Sequence, residues 1–532
     1  MNNEFDYIVV GAGSGGCALV NRLTERTDTT TLLIEAGRED VNPMIHIPRG
    51  FAKILDGETD MWRNPIDPSV KAPEMVWMRG EVLGGSSSVN GQVYMRGRPD
   101  DYDGLNVPGW GWDQVGKAFA EIESHELGAG PDRGANGPLR ITIHPDHHAV
   151  SDALMEAVVA NGAVATEDLN QEDGPAVGYQ PRNVFKGRRQ SAAVAFLNPV
   201  KSRPNLTIRT RTRVRRVVFE GNRAVGVEVK TADGATATIR ARNEVVLCAG
   251  ALTTPKLLML SGIGPAATLG KYGIPVLVDT PQVGQNMTEQ LCFIPTYRLK
   301  KGSENHKLTG LGLIKTMLQY VLFRSGPLSH AVFELSAFFK TTPGANRPDA
   351  MFQFIPASAT IDKMTGSMVP EKLPGATFSA YLVRPKSRGY MTITSADPDA
   401  PAFFDPAYLT HPDDRKGYAE MVRRLREFVS HPALKPFGFE EVSPGPSIQT
   451  EEEIVEYCLT YGSYAVHALG TCCMGTDVDS VVDPELRVRG VEGLRIADIS
   501  ILPEMVSSHT NAPAMMIGWR AGQIISAAHA GR

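Results

Sequence analysis

The apolar run Asp6-Tyr-Ile-Val-Val10, followed at once by Gly11-Ala-Gly13-Ser-Gly-Gly16, constrains this chain more than any other stretch of it. The run reads as a short buried strand ended by glycine. Cys17-Ala-Leu-Val20-Asn-Arg-Leu23 then puts Gly16, Val20 and Leu23 on one helical face, and Thr31-Leu-Leu-Ile34 is a second strand that ends at Glu35. Gly11 permits the tight strand-to-helix turn, Gly13 (with Ser14 beside it) lets a pyrophosphate approach the backbone, and Gly16 allows close helix–strand packing. The helix N-terminus offers unpaired N–H groups and the positive end of its dipole. Glu35, 19 residues beyond Gly16 and next to Ala36, is placed to accept hydrogen bonds from an adenosine ribose. A lone glycine-rich turn is a weak signal, because such turns also serve packing. Here strand, turn, helix, strand and acid arrive in order, which predicts a dinucleotide site. The motif does not separate FAD from NAD, and Glu35 would repel the 2′-phosphate of NADP.

Bulk properties narrow the field. At 532 residues the chain is about three units of typical size, with 42% hydrophobic and 21% charged residues, an ordinary globular composition. A net charge of -5 and the lack of a basic stripe argue against a nucleic-acid partner. Six cysteines do not make a disulfide framework, and the adjacent Cys472 and Cys473 would bridge only with strain, so buried thiols are expected. No window approaches 18 uninterrupted apolar residues and no secretion signal is visible, so a cytoplasmic protein without a membrane span is expected.

Two further segments favour a flavin. Arg79-Gly80-Glu-Val-Leu-Gly84-Gly85-Ser86-Ser-Ser-Val89-Asn90-Gly91, continuing through Val93 and Tyr94, can bring many N–H and O–H donors to an anionic ligand. It lacks the spacing of a nucleophile elbow, so its serines need not be nucleophiles. Val245-Val-Leu-Cys248 is a strand, Ala249-Gly250 a tight turn, and Thr254-Pro255 suits a helix start. On these residues the chain resembles the glucose-methanol-choline (GMC) oxidoreductases. Gly80-x-x-Leu-Gly-Gly-Ser-Ser-x-Val-Asn90 is similar to one family signature and Gly250 to Gly264 to another, with Glu81 a departure from a usual basic residue or Asn. The resemblance covers nearly the whole chain. It implies that Val214 passes the adenine, that Ala249 and Gly250 meet the ribose and diphosphate, and that Asp498 and Ile499 hold the pyrophosphate and ribityl region. Val89 occupies the position where some members bind FAD through histidine, so FAD is expected to be held non-covalently.

Of the twelve histidines, two stand in family context. Tyr461 to Gly475, which contains His467, is similar to the family's catalytic segment, with Ala468 where proline is usual. Ser507-Ser-His509-Thr-Asn511-Ala-Pro513 is similar to the second segment, in its histidine version. Oxidising an alcohol by hydride transfer requires removal of the hydroxyl proton, a task suited to a neutral imidazole of ordinary pKa about 6.5. His467 is expected to be the base and His509 its partner, although adjacent imidazoles titrate as a unit. Asn511 and Pro513 open a helix whose N-terminus the resemblance points at the flavin. His144-Pro-Asp-His147-His148 lacks a second ligand group at a recognisable spacing, so no metal is expected.

The expected architecture is α/β: a discontinuous Rossmann-like FAD-binding domain (1–149, 193–291 and 460–532) and an α+β substrate-binding domain with an antiparallel sheet (150–192 and 292–459). A helix is expected over Asp413 to Val429. Phe333, Phe352, Phe354 and Tyr464 could line an apolar pocket. Residues 308–323 are unusually apolar; a packed helix is the favoured reading, with a lid, a subunit contact or a peripheral membrane or quinone contact as alternatives. The expected activity is FAD-dependent oxidation of a primary alcohol, aryl or long-chain among the candidates, with electrons passed to a quinone-like or other non-NAD acceptor. An O₂-using oxidase and a redox-silent FAD-containing lyase are the alternatives.

Overall fold

The computed structural model describes residues 3–57, 59–361, 368–507 and 509–530. The opening apolar run forms the strand Glu4–Val10. It pairs in parallel with Thr31–Ile34 on one side and Thr236–Leu247 on the other. Apolar residues on both faces are what a strand covered from both sides requires. The sheet runs Leu206–Arg209, Thr31–Ile34, Glu4–Val10, Thr236–Leu247, Arg223–Lys230, Arg213–Glu220, and Leu494–Ile496 joins Thr236–Leu247 in parallel. Val10 is in register with both Ile34 and Leu247, and Leu247 with Ile496. Arg209 is level with Ile34 as well, so five parallel strands end together, and their carboxyl ends open the crevice where such sheets bind ligands.

The helix Ser14–Leu23 leaves that crevice and packs along Asn511–Ala530. The crossing is set by glycine. A Cβ on Gly518 would stand 2.0 Å from the carbonyl oxygen of Gly15, so the two backbones touch there because residue 518 has no side chain.

The second sheet runs Glu440–Ser443, Thr296–Arg298, Gly375–Leu382, Ala350–Ile355, Leu335–Phe339, Ala176–Tyr179, Val164–Ala165. Every pairing is antiparallel except the last. Successive side chains alternate between faces, and here the alternation decides the site. Phe352, Phe354 and Phe378 point to one face, where Phe352 meets Phe428 of the helix Pro412–Ser430. Gln353, Ile355, Thr377, Ser379 and Tyr381 point to the other, which lines a cavity. Phe352 and Phe354 are thus fully buried core residues and do not line the pocket assigned to them from sequence. The more polar set took the cavity face, and the phenylalanines took the face that a helix covers.

The apolar stretch near 308–323 forms the helix Gly310–Phe323, but it is not packed as expected, since most of its apolar side chains face solvent. No helix among the described residues is long and apolar enough to cross a membrane. All six cysteines are free thiols, five of them buried.

Candidate active site

A cavity of about 680 Å³ lies between the carboxyl ends of the first sheet and the polar face of the second. Against the first sheet it is lined by Gly11, Gly13, Ser14, Glu35, Ala36, Ala249, Gly250, Asp498 and Ile499. Arg79, Gly85, Ser86, Asn90, Gly91, Val93, Val214 and Asn511 continue the wall, and His467, His509, Phe333 and Tyr464 also face it. Three residues named from sequence stand behind the lining. Gly16 packs on Gly11, whose carbonyl a Cβ would meet at 1.9 Å. Gly84 donates its N–H to the carbonyl of Ala12 at 2.8 Å and so pins the serine loop to the first turn. Pro513 lies in the helix Asn511–Ala530, whose first turn reaches the cavity through Asn511 and Ala514 instead.

The end of the cavity against the first sheet holds two carboxylates and an arginine. The Glu35 carboxylate accepts N–H groups from Ala12 and Gly37, both at 2.9 Å, and burial pushes its pKa up to about 7. Asp498 accepts from the N–H of Gly250 at 2.9 Å, the Thr254 hydroxyl at 2.6 Å and the N–H of Ser500 at 2.9 Å. The Arg79 guanidinium donates to Thr253 at 2.9 Å, while its Nε has no hydrogen-bond partner among the described residues. Burial lowers Arg79 to about 10, so it stays charged at neutral pH. A buried cation with a spare N–H is costly unless an anion meets it. Gly13 leaves open space where a Cβ would stand, and the Ser14 hydroxyl donates to Asn511 at 2.7 Å, joining two helix N-termini at the cavity wall. The spare Arg79 N–H and the open backbone at Gly13 fit a diphosphate.

The two histidines come from different parts of the chain. His467 follows the short strand Ser463–Tyr464, and His509 precedes the last helix. Their ring centroids are 4.8 Å apart at 67°. Burial pulls His467 down to about 3; burial, then the neighbouring His467, pulls His509 well below the ordinary imidazole value. Both are therefore neutral at physiological pH. Tyr381 presents its ring edge-on to each, with its hydroxyl 3.3 Å from Nε2 of His509.

The tautomer of His467 is fixed from outside the cavity. Its Nδ1 lies 2.7 Å from Oε1 of Gln290, and the Gln290 amide donates through Nε2 to the carbonyl of Val383 at 2.8 Å. That second bond orients the amide, so its oxygen faces the ring and Nδ1 must carry the proton. Nε2 is left as the basic nitrogen. Gln290 and Tyr381 were not singled out from sequence. Alternation of Thr377, Ser379 and Tyr381 was the available signal for one. None existed for the other, which lies 177 residues from its partner. Beneath the same loop Glu289 is buried against the backbone of Val466 to Ala468, and burial pushes it up to about 8.

A second polar cluster lies apart from the cavity. His148 meets Glu334 through Nδ1 at 2.7 Å and Glu304 through Nε2 at 3.2 Å, and the two carboxylates raise it to about 10. Asp146, His148 and Glu304 offer ligand atoms within 4.8 Å of one another. With both ring nitrogens donating to carboxylates, the imidazolium is itself the cation of the cluster.

Glycine-rich backbone and a pair of neutral imidazoles facing one crevice fit a dinucleotide-dependent oxidoreductase better than a nucleotide carrier. Comparison with known proteins gives the family. The family models for GMC oxidoreductase match residues 5–292 and 385–518, and the chain belongs to that family. It is 36% identical to an oxygen-dependent choline dehydrogenase of Brucella melitensis, over 97% of this chain and 95% of that protein. It is 37% identical to the mitochondrial choline dehydrogenase of Homo sapiens, over 98% and 90%. Among solved structures, pyridoxine 4-oxidase from Mesorbium loti superposes with a TM-score of 0.86 at 29% identity, covering 98% of each chain. Formate oxidase, at 24% identity and a TM-score of 0.89 over 100% and 99%, shares the fold. FAD is the cofactor of the family, typically without a covalent bond.

Proposed function

We propose that this protein oxidises a neutral primary alcohol to the aldehyde, with His467 as the base, and passes the electrons to a non-NAD acceptor. The observation that carries this reading is the neutral imidazole pair with the His467 proton held on Nδ1. A base in that state takes a hydroxyl proton through Nε2, and a positioned base is worth about 10²–10⁴ in rate. His509 and Tyr381 hold the alcohol oxygen and so orient the reacting carbon. Arg79, Gly13, Ser14 and Asp498 would hold the diphosphate and ribityl parts of the cofactor, and Glu35 the adenosine ribose. Bound FAD supplies a hydride acceptor. The two sheets are proposed to mark a cofactor domain and a substrate domain.

A charged alcohol such as choline is disfavoured by the lining. Its carboxylates among the described residues are Glu35, Asp399 and Asp498. None belongs to the second sheet, and Glu289 close to His467 keeps its proton at neutral pH. Cys292, Ile294, Phe333 and Ile355 add apolar surface there, which suits an aryl or long-chain alcohol. The test is an anaerobic absorbance spectrum of the holoenzyme with a panel of primary alcohols and with choline. Bleaching of the flavin by neutral alcohols, lost in His467→Ala, is the expected result. Bleaching by choline alone overturns the substrate class, and bleaching by dithionite but by no alcohol overturns the activity. The rate of return in air then separates oxidase from dehydrogenase.

A further inference from the structure

The helix Gly310–Phe323 is inverted relative to its surroundings. Its two buried side chains carry hydroxyls: Thr316 donates to the carbonyl of Lys307 at 2.9 Å, and Tyr320 to that of Gly187 at 3.0 Å. Its apolar side chains point outward. Leu311 is 85% exposed, Val321 74% and Phe323 73%, and Ile314, Met317, Leu318 and Leu322 are exposed with them. A surface helix of a globular protein ordinarily buries such a face. A contiguous apolar patch left in solvent marks an interaction surface.

The charges carried by the helix and its flanking chain have one sign. From Asn305 to Phe333 the chain has no Asp or Glu. Lys315 and Arg324 are exposed on the helix and at its end, and the hairpin held by Tyr320 adds exposed Lys186 and Arg188 together with Phe185. None of these four cations forms an ion pair among the described residues. Leucine, valine and phenylalanine flanked by unpaired Lys and Arg are what an anionic lipid surface binds: the apolar face enters the acyl boundary and the cations meet the headgroups. At 14 residues the helix is shorter than the roughly 20 needed to span a bilayer.

We propose that this helix and hairpin seat the protein on the surface of an anionic lipid bilayer. The placement has a use. The turn Pro327–Ser329 beyond the helix packs on Pro48–Gly50, and Phe51 and Leu55, which follow, line the cavity. Leu308, before the helix, packs in one cluster with Phe51 and Phe333. Seating the helix brings this side of the cavity to the bilayer, so that a lipid-dissolved alcohol or electron acceptor enters without crossing water. The docking itself does not depend on which alcohol is oxidised.

The experiment is co-sedimentation of the full-length holoenzyme with vesicles of phosphatidylcholine alone and of phosphatidylcholine mixed with phosphatidylglycerol, alongside its molar mass by light scattering. Binding to the anionic vesicles, weakened by salt and at least about tenfold poorer for Val321→Glu/Phe323→Glu, is the expected result. Lys315→Glu/Arg324→Glu should lose the preference for anionic lipid. Both pairs are exposed, and each variant should keep its flavin and its activity on a water-soluble alcohol. Failure of the wild type to sediment with either vesicle overturns the proposal, as does unchanged binding of the Val321→Glu/Phe323→Glu variant. A dimer that this variant dissociates, with no vesicle binding, would assign the face to a second copy of the chain.

Discussion

Gln290 decides what His467 can do. By accepting the Nδ1 proton it leaves one basic nitrogen, and burial keeps that nitrogen unprotonated far below the usual range. The base proposed here works only when neutral, and with its pKa lowered to about 3 its activity should be lost only as pH falls toward that value. The acid limb of kcat/KM assigned to His467 should therefore lie well below about 6.5. Gln290→Glu places a carboxylate against Nδ1, which favours the imidazolium, so the limb should move to higher pH. A pH–rate profile of the two proteins, with flavin content as control, reads this directly; an unmoved limb would remove Gln290 from the role. His467→Ala should lower kcat/KM by about 10²–10⁴ at unchanged flavin content. That His467 and His509 meet at one cavity was legible in the sequence, because each sits in a distinctive local segment. The residue that sets the tautomer was not, since nothing local marks a glutamine for a partner so distant in the chain.

At the scale of elements, the strand Ala350–Ile355 shows where sequence reading stops. Met351-Phe-Gln-Phe-Ile355 carries bulky apolar groups on both faces, so its pattern does not say which face meets the cavity. The covering helix Pro412–Ser430 decides it, and Phe354 goes to the core. Phe354→Ala should cost about 3–5 kcal/mol in chemical denaturation and leave KM near the wild-type value. Tyr381→Phe, on the cavity face of the neighbouring strand, should lower kcat/KM with little loss of stability. A Phe354→Ala variant of normal stability but raised KM would reverse the assignment. The parallel strands and their glycine turns were readable, because close approach leaves no room for other residues. Gly310–Phe323 was readable as a helix but not as an exposed one, since apolar composition does not say what covers it.

Across the whole molecule, ionisation sets opposing limits on stability. His148 has its pKa raised to about 10 by two carboxylates, so its contribution is full below about 6.5 and is lost as pH rises through 10. His467 and His509 are held neutral, so below about 6.5 the unfolded chain binds protons that the folded one does not, and stability falls with pH. The unfolding free energy should thus decline at both ends. His148→Gln should lower the plateau by about 3 kcal/mol and flatten the alkaline decline, measured as denaturation midpoint against pH. The contact between Ser14–Leu23 and Asn511–Ala530 has a consequence for how the protein is made. Chains emerge from the ribosome N-terminus first and fold as they appear. Here the helix Ser14–Leu23 waits for a partner that is made far later, and Ser14 waits for Asn511, 497 residues on. The crevice therefore stays without one wall until the chain has been made through Asn511–Ala530, and cofactor loading has to follow the arrival of that helix.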